Sequence, residues 1–268
     1  FVYYLFRTVG TVSHPSNNAL SASTGTFTGD VAIDTDTLFA DATNDKVGIN
    51  NASPNHELQI NGNSTTSSLS LKTSSTGNTT SDGLELKVQG DSAAYLYNYE
   101  NAMLRFGTNG LERIRIDANG HVTMQSQTAF SVHRNSSNIS NITPGANSSI
   151  VFDNERFDQN ADYNTSNGTF TAPVTGKYLL TLQLRVDQID TGASYYIPFI
   201  ETSNEMYRDI IDPEFSSDPS FISQHVTIIA DMDENDTATT GIVQSGGATQ
   251  SDINGNPEYT YFSGVLIC

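Results

Sequence analysis

Cysteine is nearly missing from this chain: of 268 residues only Cys268, the last, carries a thiol. A lone cysteine cannot close an internal disulfide or supply a metal cluster, so stability has to come from burial and from association of chains. Positive charge is almost as scarce. Twelve basic residues face 30 acidic ones, a formal net charge of −18, with no Lys/Arg run. Nucleic acids and anionic membranes are both held by clustered cations, so both are disfavoured as partners. No apolar run approaches the length that spans a bilayer, which argues against membrane insertion. The chain as it stands has no signal peptide, but it opens on Phe1 rather than Met, so this supports no claim about secretion.

Catalytic patterns are absent too. The five histidines, His14, His56, His121, His133 and His225, show no metal-like spacing. No Ser/His/Asp set sits in a nucleophile context, no glycine-rich phosphate loop follows a strand, and carboxylates are too abundant to single out a hydrolytic pair. No enzyme and no organic cofactor are expected.

What is there is organised around Gly168-Thr169-Phe170-Thr171-Ala172-Pro173-Val174-Thr175-Gly176-Lys177-Tyr178 and the run Leu179 to Val186. From Tyr178 the apolar residues recur at every second position, through 180, 182, 184 and 186, the pattern of a strand with one face in a core. Pro173 suits a place where no ladder hydrogen bond is needed, and Gly176 suits a turn that needs positive φ, so the stretch reads as strand, turn, strand. Further strands are expected at Ala129–Arg134, at Tyr195–Glu201 with an edge-type Pro198, and at Phe221–Ala230. Helical periodicity is scarce, and the carboxy-terminal half reads as an all-β sandwich.

The amino-terminal half has another texture. Phe1-Val2-Tyr3-Tyr4-Leu5-Phe6-Arg7 is the most aromatic run and reads either as a docking segment, through Phe1, Tyr3, Tyr4 and Phe6, or as an ordinary buried strand; a Ser/Asn/Thr/Gly-rich linker follows to residue 29. From residue 30 to 128 short strands alternate with turns. Leu38–Ile49 and Ile114–Met124 are degenerate repeats sharing Asp-Ala, a polar turn with Asn, then Val and a second apolar residue. Each strand offers only two or three apolar positions, too few for a core within one chain. Several chains pooling one face each could build one, which predicts an intertwined or side-by-side homotrimeric β-shaft.

Two resemblances follow from these residues. Phe-Thr-Ala-Pro-Val-Thr-Gly-Lys-Tyr, preceded by Ile150-Val151-Phe152-Asp153 and Phe157-Asp158 and followed by Tyr261-Phe262-Ser263-Gly264-Val265-Leu266-Ile267, resembles the C1q/tumour-necrosis-factor-like globular head over 129–268. That implies a jelly roll, a homotrimer, and a final Phe-Ser-Gly strand at its heart. Leu38 to Pro54 and Arg115 to Val122 resemble spacer phrases of bacteriophage tail and head fibres, which usually have a second Gly and a Thr where this chain reads Asn50-Asn51. Together they imply a virion fibre: docking segment and linker 1–29, shaft 30–128, head 129–268. Its partners would be other virion proteins at the amino terminus and a host surface glycan or protein at the head. A decoration fibre whose head clamps the trimer is the competing reading. A secreted C1q/TNF-like ligand is a third, which would add a signal peptide and collagen repeats.

Candidate contacts follow from chemistry. Tip loops carry recognition on rigid sandwiches, and Tyr195, Tyr196, Tyr207 and Tyr259 could stack on or hydrogen-bond to a receptor unless they are buried. Asp231, Asp233 and Asp236 could offer oxygen ligands to calcium; the alternative is a solvated turn, and the EF-hand pattern fails because Ile242 stands eleven residues after Asp231.

Overall fold

The computed structural model describes residues 30–33, 37–62, 65–135 and 137–268; Phe1, Tyr3, Tyr4 and Phe6 and the rest of 1–29 lie outside the described residues. Among the described residues every regular element is a strand. The chain divides into two compact units at Ala102–Met103.

The first unit holds β1 (Val31–Ile33), β2 (Leu38–Asp41), β3 (Lys46–Ile49), β4 (Leu58–Ile60), β5 (Thr66–Leu71), β6 (Leu84–Gln89) and β7 (Ala94–Asn98). They form a four-stranded sheet, β1-β2-β3-β4, and a three-stranded one, β5-β6-β7. The predicted β2–turn–β3 is present. Its turn is organised by Asp41, whose Oδ1 accepts the amides of Thr43 and Asn44, both at 3.0 Å. Asn50 ends β3 with φ 56°. That left-handed backbone is one that Asn and Gly adopt readily. The unit has no core of its own: among the described residues no buried hydrophobic side chain precedes Phe130, and Leu58, Leu71 and Leu86 are 56%, 59% and 55% exposed.

The second unit opens with β8 (Leu104–Thr108), β9 (Leu111–Ile116) and β10 (Val122–Met124), a meander in the order β10-β9-β8. The β9–β10 turn repeats the Asp41 device. Asp117 Oδ1 accepts the amides of Asn119 and His121 at 2.8 and 2.9 Å, and its Oδ2 lies 2.9 Å from His121 Nδ1. The degenerate repeat is thus a repeat of turn chemistry, an aspartate folding the chain over itself.

The head follows: β11 (Ala129–His133), β12 (Asn147–Ser149), β13 (Asn154–Asp158), β14 (Tyr163–Asn164), β15 (Thr169–Thr171), β16 (Gly176–Asp187), β17 (Ala193–Thr202), β18 (Met206–Arg208), β19 (Phe221–Met232), β20 (Thr237–Gly246), β21 (Asp252–Ile253) and β22 (Tyr261–Leu266). One sheet runs β13-β11-β22-β16-β19, with β21 on β16; the other runs β14-β15-β20-β17-β18, with β12 on β20. Tyr178, Leu180, Leu182, Leu184 and Val186 are all 0% exposed. They face an aromatic cluster in which Phe130 stacks on Phe170 at 4.7 Å and meets Phe262 edge-on at 5.1 Å. Each large side chain so buried contributes about 1.5–3 kcal/mol relative to leaving it in water.

Two details of the organising stretch differ from expectation. β15 and β16 belong to opposite sheets, so the turn between them carries the chain across the sandwich rather than closing a hairpin. Gly176 has no positive φ. It starts β16 with the chain end pressed against it: a β-carbon there would stand 2.6 Å from the carbonyl oxygen of Cys268. Pro198 lies in β17 outside the stretch Phe199–Glu201 that pairs with β18, where a missing N–H breaks no ladder bond.

Candidate recognition surface of the head

The strand directions give the sandwich two ends. Chain from the β8–β10 meander enters beside Leu266, where Gln127 Nε2 donates to the Leu266 carbonyl at 2.7 Å, and Gln159 and Asn160 donate to the carbonyls of Met124 and Ser126. The turns 172–175, 203–205 and 233–236 lie at this entry end: Asn235 N–H donates to the Ala172 carbonyl and Ser203 N–H to that of Thr237. The longer connections gather at the other end. They are 134–146, 188–192, 209–220 and 247–260, tied together by Ile139 pairing with Ile253, by Asp187 opposite Phe221, and by Gln188 N–H on the Ser220 carbonyl.

The tyrosines singled out from sequence separate on this map. Tyr196 is corrected: it is 0% exposed, its OH shares a 2.7 Å hydrogen bond with Ser251 and accepts the Asp190 amide at 2.9 Å. Burial holds its phenol above the usual range. Tyr207 is partly buried on the core margin, with its phenol also raised by burial. Tyr195 and Tyr259 are surface residues, 36% and 42% exposed, and Tyr259 stands on the distal connection.

Around Tyr259 the fold assembles a cluster that local sequence patterns do not announce. Arg185 leaves β16 with its guanidinium carbon 4.2 Å from the ring centroid of Phe221 and 5.3 Å from that of Tyr259. Its Nε donates to Asp187 Oδ1 at 2.7 Å, and Asp187 Oδ2 accepts from Asn254 Nδ2 at 2.6 Å. The loop bearing Tyr259 is wound by side-chain caps: Asn254 Oδ1 accepts the Asn256 amide and Asn256 Oδ1 accepts that of Glu258, both at 2.9 Å. A cation held between two rings, with its charge balanced by a fixed carboxylate, leaves Phe221 (54% exposed) and Tyr259 as ordered aromatic surface. The neighbouring 209–220 connection exposes Ile210 and Phe215 among acidic residues. It is anchored through Asp218, whose Oδ1 accepts from Thr191 Oγ1 at 2.6 Å; that bond, first among several, holds the Asp218 carboxyl below the usual range.

The acidic turn lies at the opposite, entry end, and its carboxylates are engaged one by one. Asp231 pairs with Lys177 at 3.1 Å, Asp233 Oδ1 accepts from Thr175 Oγ1, and Asp236 Oδ2 accepts from Asn204 Nδ2 at 2.7 Å and from the Asp233 amide at 2.8 Å. Among the described residues no three acidic, histidine or cysteine side chains converge as a metal site would require. The structure therefore does not bring Asp231, Asp233 and Asp236 together as a calcium ligand set.

Comparison with known proteins bears on this domain. The family model of the C1q domain matches residues 129–267. Among solved structures, the globular domain of zebrafish complement 1qA is 17% identical, with 53% of this chain and 98% of that one covered and a TM-score of 0.37. Murine APRIL, in its pH 8.5 crystal structure, is 12% identical, with 53% and 100% covered and a TM-score of 0.39. No curated protein matches the chain. With just over half of its length matched by the family model, and with the two-sheet head that the Phe-Ser-Gly strand threads, the chain belongs to the C1q domain family.

Proposed function

We propose that this chain is a homotrimeric bacteriophage fibre that adheres to a host cell-surface glycan or protein through the distal loops of its C1q-type head. One observation carries the reading: the chain enters the head at one end of the sandwich, and the long connections with their exposed aromatic residues lie at the other. A head mounted in this way presents its loops outward. C1q and TNF domains typically form homotrimers, and the strands of 30–128, with no hydrophobic side chain buried within one chain among the described residues, fit a shaft completed by other copies. Three weak tip sites on one trimer, repeated over several fibres, give avidity without a tight single contact. Phe1, Tyr3, Tyr4 and Phe6 would dock the fibre to virion proteins, placing it on the tail or capsid surface.

A second reading, a decoration fibre whose head only clamps the trimer, is favoured by a different face. Ile229, Leu179 and Val265 stand in register across β19, β16 and β22 on the outer side of the sheet, with Ile229 59% exposed. Labelled full-length protein incubated with a panel of bacterial cells separates the two. Saturable binding lost on simultaneous Phe221→Ala and Tyr259→Ala substitution, with the trimer mass unchanged by light scattering, supports adhesion. Trimeric protein that binds no cell and does not compete with infection supports the clamp.

A further inference from the structure

The three-stranded sheet β5-β6-β7 has two chemically opposed faces. The registers place Leu69 opposite Leu86 and Leu86 opposite Leu96, a straight leucine rung across all three strands; Ser67 opposite Val88 and Leu71 opposite Leu84 form the rungs on either side. Leu69, Leu71, Leu86, Val88 and Leu96 are 44%, 59%, 55%, 51% and 41% exposed. A shallow groove continues this surface to Leu58 and Ile60 of β4. The alternate residues make the other face. Ser70, Glu85 and Tyr97 form one of its rungs and Ser68, Lys87 and Tyr95 the next. Here Lys87 pairs with Glu85 at 3.2 Å, its Nζ lies 5.1 Å from the Tyr97 ring centroid, and Tyr95 and Tyr97 stack at 5.5 Å. The charged residues of the sheet, Glu85 and Lys87, are thus paired within one chain, on rungs that alternate with the leucine rungs.

We infer that the leucine face of β5-β6-β7 is the surface on which copies of this chain pack together around the shaft axis, with the Tyr95–Lys87–Tyr97 face turned to solvent. This rests on the trimeric reading above and names the contact within it. The occupant follows from symmetry and from what the unit lacks. A side chain close to a rotation axis meets its own copies, so a self-packing face must be free of charge, and Leu69, Leu86 and Leu96 satisfy that where Glu85 and Lys87 would repel themselves. The unit buries no hydrophobic side chain among its described residues, so its cover must be present wherever the chain is, and further copies of the chain meet that condition.

The test uses the full chain with Cys268→Ser, to remove the one native thiol, and a single cysteine added by Leu86→Cys, Leu96→Cys or Tyr97→Cys. Each variant is first weighed by light scattering, then oxidised and run on a non-reducing gel, and in parallel reacted with a bulky maleimide. Expected are inter-chain disulfides at positions 86 and 96 and none at 97, with maleimide reaction on the order of 10-fold slower at 86 and 96 than at 97. Equal reactivity at 86, 96 and 97 in protein that is still trimeric would overturn this contact while leaving the trimer standing. Monomeric mass in every variant and in the unmodified chain would overturn the trimeric reading and this contact with it.

Discussion

Gly264 lies face to face with the ring of Phe130: a β-carbon built on it would stand 2.5 Å from Phe130 Cε1 and 2.7 Å from Leu180 Cδ2. β22 carries this glycine between β11 and β16, so its bare Cα lets the Phe130 ring lie across the sheet into the aromatic cluster. Gly264→Ala is expected to destabilise the head by about 1–3 kcal/mol, the usual result of forcing a methyl into a filled core. Denaturant unfolding of full-length protein checks it. An unchanged midpoint would mean that Phe130 has room to retreat, contrary to its 1% exposure.

The same core predicts an alkaline limit. Tyr163, Tyr178 and Tyr196 are at most 4% exposed, and burial holds each phenol above its ordinary value of 10.0. Above pH 10 the unfolded chain releases these protons while the folded head retains them, so stability present below pH 10 declines as pH rises through the folded values. Each tyrosine adds a slope of about 1.4 kcal/mol per pH unit in that window. Following near-ultraviolet tyrosinate absorbance alongside circular dichroism is the measurement. These three are expected to ionise together with loss of the β signal, and ionisation ahead of unfolding would contradict their burial.

How legible this was in the chain differs by element. The alternation from Tyr178 to Val186 is all apolar residues on one side and mostly polar ones on the other, so β16 could be read directly. β20, at the centre of the second sheet, is Thr-Ala-Thr-Thr-Gly-Ile-Val-Gln-Ser-Gly, and its small residues gave no comparable period. Gly241 shows why they are small: a β-carbon there would meet the Phe199 ring at 2.3 Å. Tyr196 and Tyr195 are neighbours in sequence and opposite in fate because a strand sends successive side chains to opposite faces, and only the sheet's placement says which is inward. The Arg185, Phe221 and Tyr259 cluster was invisible for another reason. Its members are joined by the β16–β19 register and by a capped loop, not by any local pattern.

That cluster makes its own prediction. Tyr259→Ala should lower cell binding by full-length protein at least several-fold while leaving thermal stability nearly unchanged, since the ring is 42% exposed and packs on Arg185 rather than in the core. Tyr196→Phe should do the reverse, destabilising by about 1–3 kcal/mol because the bond to Ser251 is lost and the buried Asp190 amide loses its acceptor, with no direct effect on binding. Paired binding and melting curves decide the matter. A Tyr259→Ala protein that melts early but binds normally would reverse the assignment.

The aspartate turns can be tested at single amides. Asp117 is held below its ordinary 3.8 first by the hydrogen bond from the His121 side chain, then by backbone amides. A depressed carboxylate contributes stability that is full above its unfolded value and is lost as pH falls through the lower folded value, so the carboxylate's hold on the turn should be complete at neutral pH and weaken progressively as pH falls below 3.8. Hydrogen exchange of the Asn119 and His121 amides, both donors to Asp117 Oδ1, reports it directly. Asp117→Asn keeps one acceptor oxygen and should retain much of their protection, whereas Asp117→Ala should abolish it at every pH. The parallel change Asp41→Ala should release Thr43 and Asn44 in the same way, because the two turns share one mechanism. If protection at Asn119 survived Asp117→Ala, the β-ladder between β9 and β10 rather than the aspartate would be what closes the turn.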